Sequence, residues 1–88
     1  MLYPIDGGYK VSDEGFVQNS RGHRLARSYS KDGDVIVRLY VQGVEMKRSL
    51  KHLVMDCFGE TDPLRIYVKQ RDPGPDYSIQ NLYRSMWR

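Results

Sequence analysis

Apolar and polar residues alternate through the middle of this chain in the way that a half-buried β-strand requires. In segment 35–41, Val-Ile-Val-Arg-Leu-Tyr-Val, positions 35, 37, 39 and 41 are apolar, whereas Arg38 and Tyr40 share the other face with Ile36. Because successive side chains of a strand point to opposite sides, this pattern predicts one face packed on a core. Gln42-Gly43 then predicts a turn into a second strand over 44–48, whose register decides whether Lys47 or Arg48 joins Arg38 on the polar face.

Further clusters of turn-forming residues divide the first third of the chain. Segments 9–11 and 16–18 flank Ser12-Asp13-Glu14-Gly15, whose aspartate and glycine favour a tight reversal between two short strands. Two more turns are predicted at 20–23 and 30–34, because each combines serine and glycine with charged residues. The first half of the chain is therefore predicted to consist of hairpins.

The hydrophobic period changes after the second hairpin, and the new spacing predicts an α-helix. Apolar residues follow one another at i, i+3, i+4, i+7 and i+8, which places them on one side of a helix: Leu50, Leu53, Val54, Cys57 and Phe58. Ser49 is suited to cap its first turn, and Gly59 to end it in the left-handed conformation. Pro63 opposes any continuation.

The last quarter of the chain predicts a strand, a loop and a second helix. Residues 64–69 alternate as a strand, and the prolines and glycine of 71–76 require a loop. Ile79, Leu82, Tyr83 and Met86 return to helical spacing. The predicted fold class is α+β: a small antiparallel β-sheet of hairpins, a packed α-helix and a terminal ββα-like segment.

Composition limits the class of protein further. Hydrophobic residues make up 40% and charged residues 28%, and no apolar run is long enough for a membrane span or a signal peptide, so we expect a cytoplasmic location and no membrane partner. The single cysteine, Cys57, excludes an intrachain disulfide and a cysteine zinc site. Its place on the apolar stripe predicts a buried, unreactive thiol.

The net charge of +3 is unevenly distributed along the chain. Between Arg21 and Lys51 there are eight basic and three acidic residues, a net charge of +5, and the rest of the chain carries −2. A polyanion would therefore be attracted to the central third, although basic faces also occur in proteins that never bind nucleic acid.

Two stretches, Tyr-Lys-Val-Ser-Asp-Glu-Gly-Phe-Val-Gln-Asn at 9–19 and Ser-Leu-Lys-His-Leu-Val-Met-Asp-Cys-Phe at 49–58, stand in a distinctive order and separation. They resemble the nuclease-associated modular domain of phage HNH homing endonucleases, whose pattern runs roughly Gly-Tyr-x-Val-Ser-x-x-Gly-x-Val-x-Asn and then Val-His-x-Leu-Val-x-x-x-Phe. The resemblance implies one domain over 1–88, with a modular DNA-binding-like part at about 5–60 and a degenerate HNH-like part at about 61–88. It also implies the cytoplasm of a host cell if the gene is a phage gene.

The chain departs from the resemblance where the catalytic site is expected. HNH nucleases cut through a ββα-metal site, in which a histidine deprotonates water while Asp and Asn side chains hold a divalent cation. Alignment of Asn81-Leu82 with the Asn-Leu of the family's final helix places Lys69 at the general-base position and Val68 at the adjacent ligand position. A lysine ammonium stays protonated near neutral pH and repels a metal ion, and valine offers no oxygen ligand. Only Asn81 remains, so we expect no catalytic residues, no metal or other cofactor and no enzymatic activity.

Two functions remain open from the sequence. The first is an inactive HNH-like protein that binds double-stranded DNA through a basic hairpin surface, where Tyr29 and Tyr40 either stack on bases or pack. The residues expected to contact DNA are Arg21, Arg24, Arg27, Lys31, Arg38, Lys47, Arg48 and Lys51.

The alternative is a phage-encoded interaction protein that inhibits a host enzyme or defence factor with the same scaffold. Aromatic residues near the end of the chain would then be its anchors, unless they pack in the core: Tyr67, Tyr77, Tyr83 and Trp87.

Overall fold

Eight short strands form three antiparallel sheets in the computed structural model, which describes all 88 residues. The elements are β1 (Leu2–Pro4), β2 (Lys10–Ser12), β3 (Val17–Gln18), β4 (Ser28–Tyr29), β5 (Val35–Val41), β6 (Val44–Ser49), α1 (Leu50–Phe58), β7 (Tyr67–Gln70) and β8 (Leu82–Ser85). The strand orders are β1-β2-β3, β4-β5-β6 and β7-β8. The predicted α+β class, with antiparallel hairpins and a packed helix, is confirmed.

Helix α1 spans the residues that its apolar stripe predicts and contacts strands of all three sheets. Leu50, Leu53 and Val54 are buried against the sheets, and Met55, which the stripe did not include, is buried too. Fully burying a side chain of this size contributes roughly 1.5–3 kcal/mol. One cluster of 12 buried residues therefore connects the three sheets through the helix. No helix of the structure is long and apolar enough to cross a membrane.

The β5–β6 hairpin shows the predicted alternation, and its register decides which basic residues share a face. Val35, Val37 and Leu39 are buried, and the turn at Gln42-Gly43 has positive φ at both residues, 53° and 78°. This geometry matches the right-handed twist of the flanking strands. Arg38 lies opposite Lys47 on the outer face, whereas Arg48 lies opposite Val37 and so belongs to the inner face.

The first sheet contains the predicted hairpin of β2 and β3, an extra strand, β1, on one side and a returning segment of chain on the other. Strand β1 was not predicted, because its three residues are all exposed and show no alternation. On the other side, the chain turns at 19–22 and returns beside β3: Leu25 N–H donates to Val17 C=O at 2.8 Å, and Gln18 is bridged to Arg24. The β2–β3 hairpin therefore has cross-strand neighbours on both of its edges.

The predicted C-terminal helix is wrong. Residues Ile79–Asn81 form a single 3₁₀ turn, and the chain then continues as β8, which pairs with β7. Val68 and Leu82 are buried between this sheet and α1, whereas Tyr83 and Met86 point to solvent. The helical spacing of residues 79–86 thus arose from a turn followed by a strand. The preceding strand was also predicted three residues too early, since it begins at Tyr67.

Both predicted capping interactions of α1 are wrong in detail. The Ser49 hydroxyl makes no cap bond and instead donates to Asp34 Oδ2 at 3.0 Å. Gly59 is extended, with φ −96°, and its N–H donates to Met55 C=O at 2.7 Å. A Cβ at position 59 would collide with the Met55 side chain, so the glycine is required by close packing and not by its backbone angle.

Candidate nucleic-acid interface

The eight basic residues predicted to contact DNA differ in the contacts that their side chains make within the protein. Arg27 has a structural role: its guanidinium donates to Pro75 C=O at 2.7 Å and to Gly15 C=O at 3.0 Å. It also lies 5.0 Å from the centroid of the Tyr77 ring. A guanidinium with two carbonyl partners and an aromatic face spans the first hairpin and the 71–76 loop, so its contacts stabilise the fold.

Two more of the eight are paired with carboxylates. Arg38 Nε lies 3.5 Å from Glu45 Oε1, and Lys51 Nζ lies 3.6 Å from Asp34 Oδ1. Exposed ion pairs of this kind contribute about 0–1 kcal/mol, so an incoming phosphate can replace the carboxylate at little cost. Lys51 is the more enclosed of the two, because its side chain is only 28% exposed.

The remaining five have no carboxylate partner, and they occupy different parts of the surface: Arg21, Arg24, Lys31, Lys47 and Arg48. Arg21 is at the tip of the 19–22 turn and Lys31 in the 30–34 turn. Arg24 stacks on Phe16, with its guanidinium carbon 3.7 Å from the ring centroid. The predicted set therefore does not form one continuous patch.

The structure does bring together one compact group, on the outer face of the β5–β6 hairpin. This face, called the β5–β6 outer face below, consists of Arg38 and Lys47 in direct cross-strand register and of Tyr40 opposite Glu45. Tyr40 is 57% exposed. Directly opposed side chains of neighbouring strands are about 4.5–5.5 Å apart at Cβ, so the two cations act on the same part of a ligand. Tyr29, the second tyrosine considered for base stacking, is 73% exposed on β4.

The positions aligned with the nuclease site lie on β7. Val68 is buried in the core, and Lys69, on the opposite face of the strand, lines a cleft of about 520 Å³. Its lining also includes Asp34, Lys51 and His52. No group of three or more His, Cys, Asp or Glu side chains lies close enough together to hold a metal ion.

Asn81 is buried and uses its side chain to hold the 71–76 loop. Its Oδ1 accepts a hydrogen bond from Asp72 N–H at 3.0 Å, and its Nδ2 donates to the carbonyl oxygens of Asp72 at 2.9 Å and Asp76 at 2.8 Å. Gln70 Nε2 supports the same loop by donating to the carbonyls of Gly74 and Asp76. The amide oxygen of Asn81 therefore points at backbone, and the one residue that matches the nuclease pattern has a structural role here.

Replacing Asn81 by alanine should lower the free energy of unfolding by about 2–3 kcal/mol, because the loop's backbone groups lose buried partners. Chemical denaturation of both proteins measures this difference. Gln80→Ala, on an exposed neighbour in the same turn, provides the control and should change stability by less than about 0.5 kcal/mol. Equal losses for the two variants would contradict the role assigned to Asn81.

The aromatic residues considered as anchors for a protein partner differ in how far they are exposed. Tyr77 is buried, not exposed, and desolvation raises the pKa of its hydroxyl, with nearby Arg27 acting in the opposite direction. Tyr67 is half-buried. Tyr83 is 36% exposed beneath Arg71, whereas Trp87 is 76% exposed and does not pack in a helix. Only Trp87 is thus largely free for contact with a partner.

Two residues outside the predicted set join the candidate surface. Lys10 and Gln18 lie opposite each other on β2 and β3, and Gln18 lies opposite Arg24. The alternation of 9–11 and 16–18 places both on the outer face, but both lie outside the basic segment 21–51 that contains the predicted set.

Cys57 is half-buried, and desolvation, with Asp56 adding to it, raises the pKa of its thiol. The prediction of a buried thiol is therefore wrong in degree, because Cys57 is only partly buried.

Comparison with known proteins identifies a similar fold. No family model matches the chain, and no curated protein matches it. A solved structure of the HNH homing endonuclease I-HmuI, an enzyme that binds and cleaves DNA, superposes on 96% of this chain with a TM-score of 0.80. The identity is 23%, and the chain spans 51% of the length of that endonuclease. The likeness establishes an HNH-endonuclease-like fold.

Proposed function

We propose that this protein binds double-stranded DNA through the β5–β6 outer face and does not cleave it. The observation that carries the proposal is the cross-strand pair Arg38 and Lys47 on the exposed side of a hairpin, in a fold shared with a DNA-binding endonuclease. A two-stranded β-ribbon fits the major groove of B-DNA, which is about 12 Å wide. A phage origin and a location in the host cytoplasm belong to the same proposal.

The binding chemistry follows from the side chains available. Arg38 and Lys47 neutralise phosphates and release counterions, and Tyr40 beside them offers an aromatic face with a polar tip. Arg21 and Lys31, which have no carboxylate partner, add positive charge in the 19–22 and 30–34 turns. Arg27 is not assigned this role, because two of its five N–H groups already bond the carbonyls of Gly15 and Pro75 and its contacts stabilise the fold.

Binding is tested by the salt dependence of affinity for a duplex, measured by fluorescence anisotropy. For a surface that neutralises three to five phosphates, the slope of log K against log salt is expected to be about −3 to −4.5. A slope near zero, or no binding at low salt, would contradict the proposal.

The absence of cleavage is supported by the residues at the nuclease positions. Lys69 cannot accept a proton while it is charged, Val68 is buried and has no ligand atom, and the Asn81 oxygen is bonded to Asp72 N–H. Supercoiled plasmid incubated with the protein and Mg²⁺ or Mn²⁺ should therefore stay uncut, at the level of a chelated control. Nicking above that control, lost in a Lys69→Ala variant, would overturn this part of the proposal.

A second candidate is an interaction protein that blocks a host protein. It is favoured by the apolar side chains exposed around the β7–β8 end: Leu64, Ile66, Met86 and Trp87, which are 75%, 58%, 52% and 76% exposed. An exposed tryptophan is typical of an interface anchor. A protein complex held at this end would depend on Trp87 and would lack the steep salt slope of the DNA complex.

A further inference from the structure

We propose that the outer face of the first sheet reads DNA sequence through a row of three side chains, Lys10, Gln18 and Arg24. The inference rests on the proposed DNA binding and adds to it the part of the surface that distinguishes one base sequence from another. Phosphate contacts position a protein on DNA, whereas hydrogen bonds to base edges carry sequence information. In this row, side chains that can hydrogen-bond to base edges lie next to one another and are not bonded to other groups of the protein.

The register of the sheet aligns the three residues. Lys10 on β2 lies opposite Gln18 on β3, and Gln18 lies opposite Arg24 on the returning chain. Val11 and Val17, on the other side of the same strands, are buried in the core, so the row faces outward. Adjacent strands are about 4.8 Å apart, and the row therefore spans roughly 10 Å, or about three base pairs of 3.4 Å rise.

The side chains of the row have no partners within the protein that would compete with a ligand. Neither Lys10 nor Arg24 is in an ion pair, and the Gln18 amide makes no hydrogen bond. No partnerless side-chain N or O atom in the structure is buried, so the Gln18 amide reaches solvent. Gln70 contrasts with it, because its amide is committed to the 71–76 loop.

Arg24 is held in place before any ligand arrives. Its guanidinium lies 3.7 Å from the centroid of the Phe16 ring, and Phe16 is on the same strand side as Gln18. A stacked guanidinium has lost part of its conformational freedom, so the entropic cost of binding is smaller. Its N–H groups match the O6 and N7 atoms of guanine, and a free glutamine amide matches N6 and N7 of adenine.

Selection of bound duplexes from a random pool tests the inference, followed by affinity measurements on the selected and on a scrambled duplex. The wild-type protein should prefer the selected duplex by roughly tenfold or more. Gln18→Ala should remove roughly 5- to 100-fold of the affinity for the selected duplex, while its affinity for the scrambled duplex and its salt slope stay unchanged. Arg24→Gln should likewise lose most of the preference for the selected duplex, because the guanidinium fork that matches guanine is gone.

Gln80→Ala, which removes an exposed glutamine amide outside the sheet, is the matched control and should retain the preference. If wild-type protein binds all duplexes equally, or if Gln18→Ala keeps the full preference, the base-reading row is refuted while DNA binding stands. If wild-type protein shows no salt-dependent binding to any duplex, the proposed function itself fails.

Discussion

Replacing Gly15 by alanine should lower the free energy of unfolding by about 3–5 kcal/mol, a large share of the roughly 4–13 kcal/mol expected for 88 residues. Gly15 has a φ of +93°, and an added Cβ would lie 2.5 Å from the carbonyl carbon of Tyr77. The Tyr77 backbone cannot move away easily, because Ile79 N–H donates to Asp13 C=O at 2.8 Å and Arg27 bonds Gly15 C=O. Thermal and denaturant unfolding measure the loss.

Gly33→Ala is the matched control for this prediction. Gly33 has a φ of +80°, but nothing lies within 4 Å of an added Cβ. Its substitution should cost only the backbone strain, about 1–2 kcal/mol. The difference between the two variants isolates the collision with Tyr77, and equal losses would show that the first hairpin does not dock as closely as described.

Reversing the charge of Arg38 and Lys47 together, Arg38→Glu and Lys47→Glu, should weaken duplex binding by about 100-fold at low salt. The estimate takes about 1.5 kcal/mol for each lost charge-assisted contact, at 1.4 kcal/mol per tenfold. The salt slope should become shallower by about 1.8, since two phosphate contacts disappear. Anisotropy titrations at several salt concentrations measure both quantities, and folding is checked by circular dichroism, because both residues are exposed and bury little.

The matched control reverses the same number of charges at the β7–β8 end, with Arg65→Glu and Arg88→Glu. Both residues are exposed, and neither belongs to the proposed surface. The control variant has the same net charge as the test variant, so a general electrostatic effect would weaken both equally. Such an equal loss would remove the β5–β6 outer face from the proposal, whereas a selective loss would support it.

The residues that carry the sequence resemblance have structural roles in this protein. Val11 and Val17 are buried, Tyr9 Oη accepts a hydrogen bond from Tyr40 N–H at 3.0 Å, and Ser12 Oγ accepts one from Glu14 N–H at 3.0 Å. Asn19 Oδ1 accepts the N–H groups of the turn that follows it. The shared pattern is thus a description of a fold, which agrees with a structural likeness at 23% identity.

The proposed function, by contrast, depends on positions outside that shared pattern. Lys69 and Val68 stand where the nuclease resemblance implies a base and a ligand, while Lys10, Gln18 and Arg24 lie together on the first sheet and Arg38 and Lys47 on the second. The amide of Asn81 holds the 71–76 loop through three hydrogen bonds. The proposed binding without cleavage therefore depends on a small number of positions.

The sequence alone determined the elements whose signal is local. The apolar spacing of 50–58 located α1, alternation located β5, and the Gln42-Gly43 turn defined its hairpin, because each pattern reflects burial or backbone geometry within a few residues. The same patterns indicated an α+β class. The two motifs that carry the resemblance to the nucleases, at 9–19 and 49–58, can also be read from the sequence alone.

Only the tertiary structure decided what distant segments do to one another. Residues 82–85 form a strand despite the helical spacing of 79–86, because pairing with β7 satisfies their backbone hydrogen-bonding groups. The local pattern contains no information about that pairing. The tertiary structure also committed Arg27 to carbonyls 12 and 48 residues away, and the register of one hairpin placed Lys47, and not Arg48, opposite Arg38. The position of each charge can be read from the sequence, but whether a charged group is free to bind a ligand depends on contacts between residues far apart in sequence.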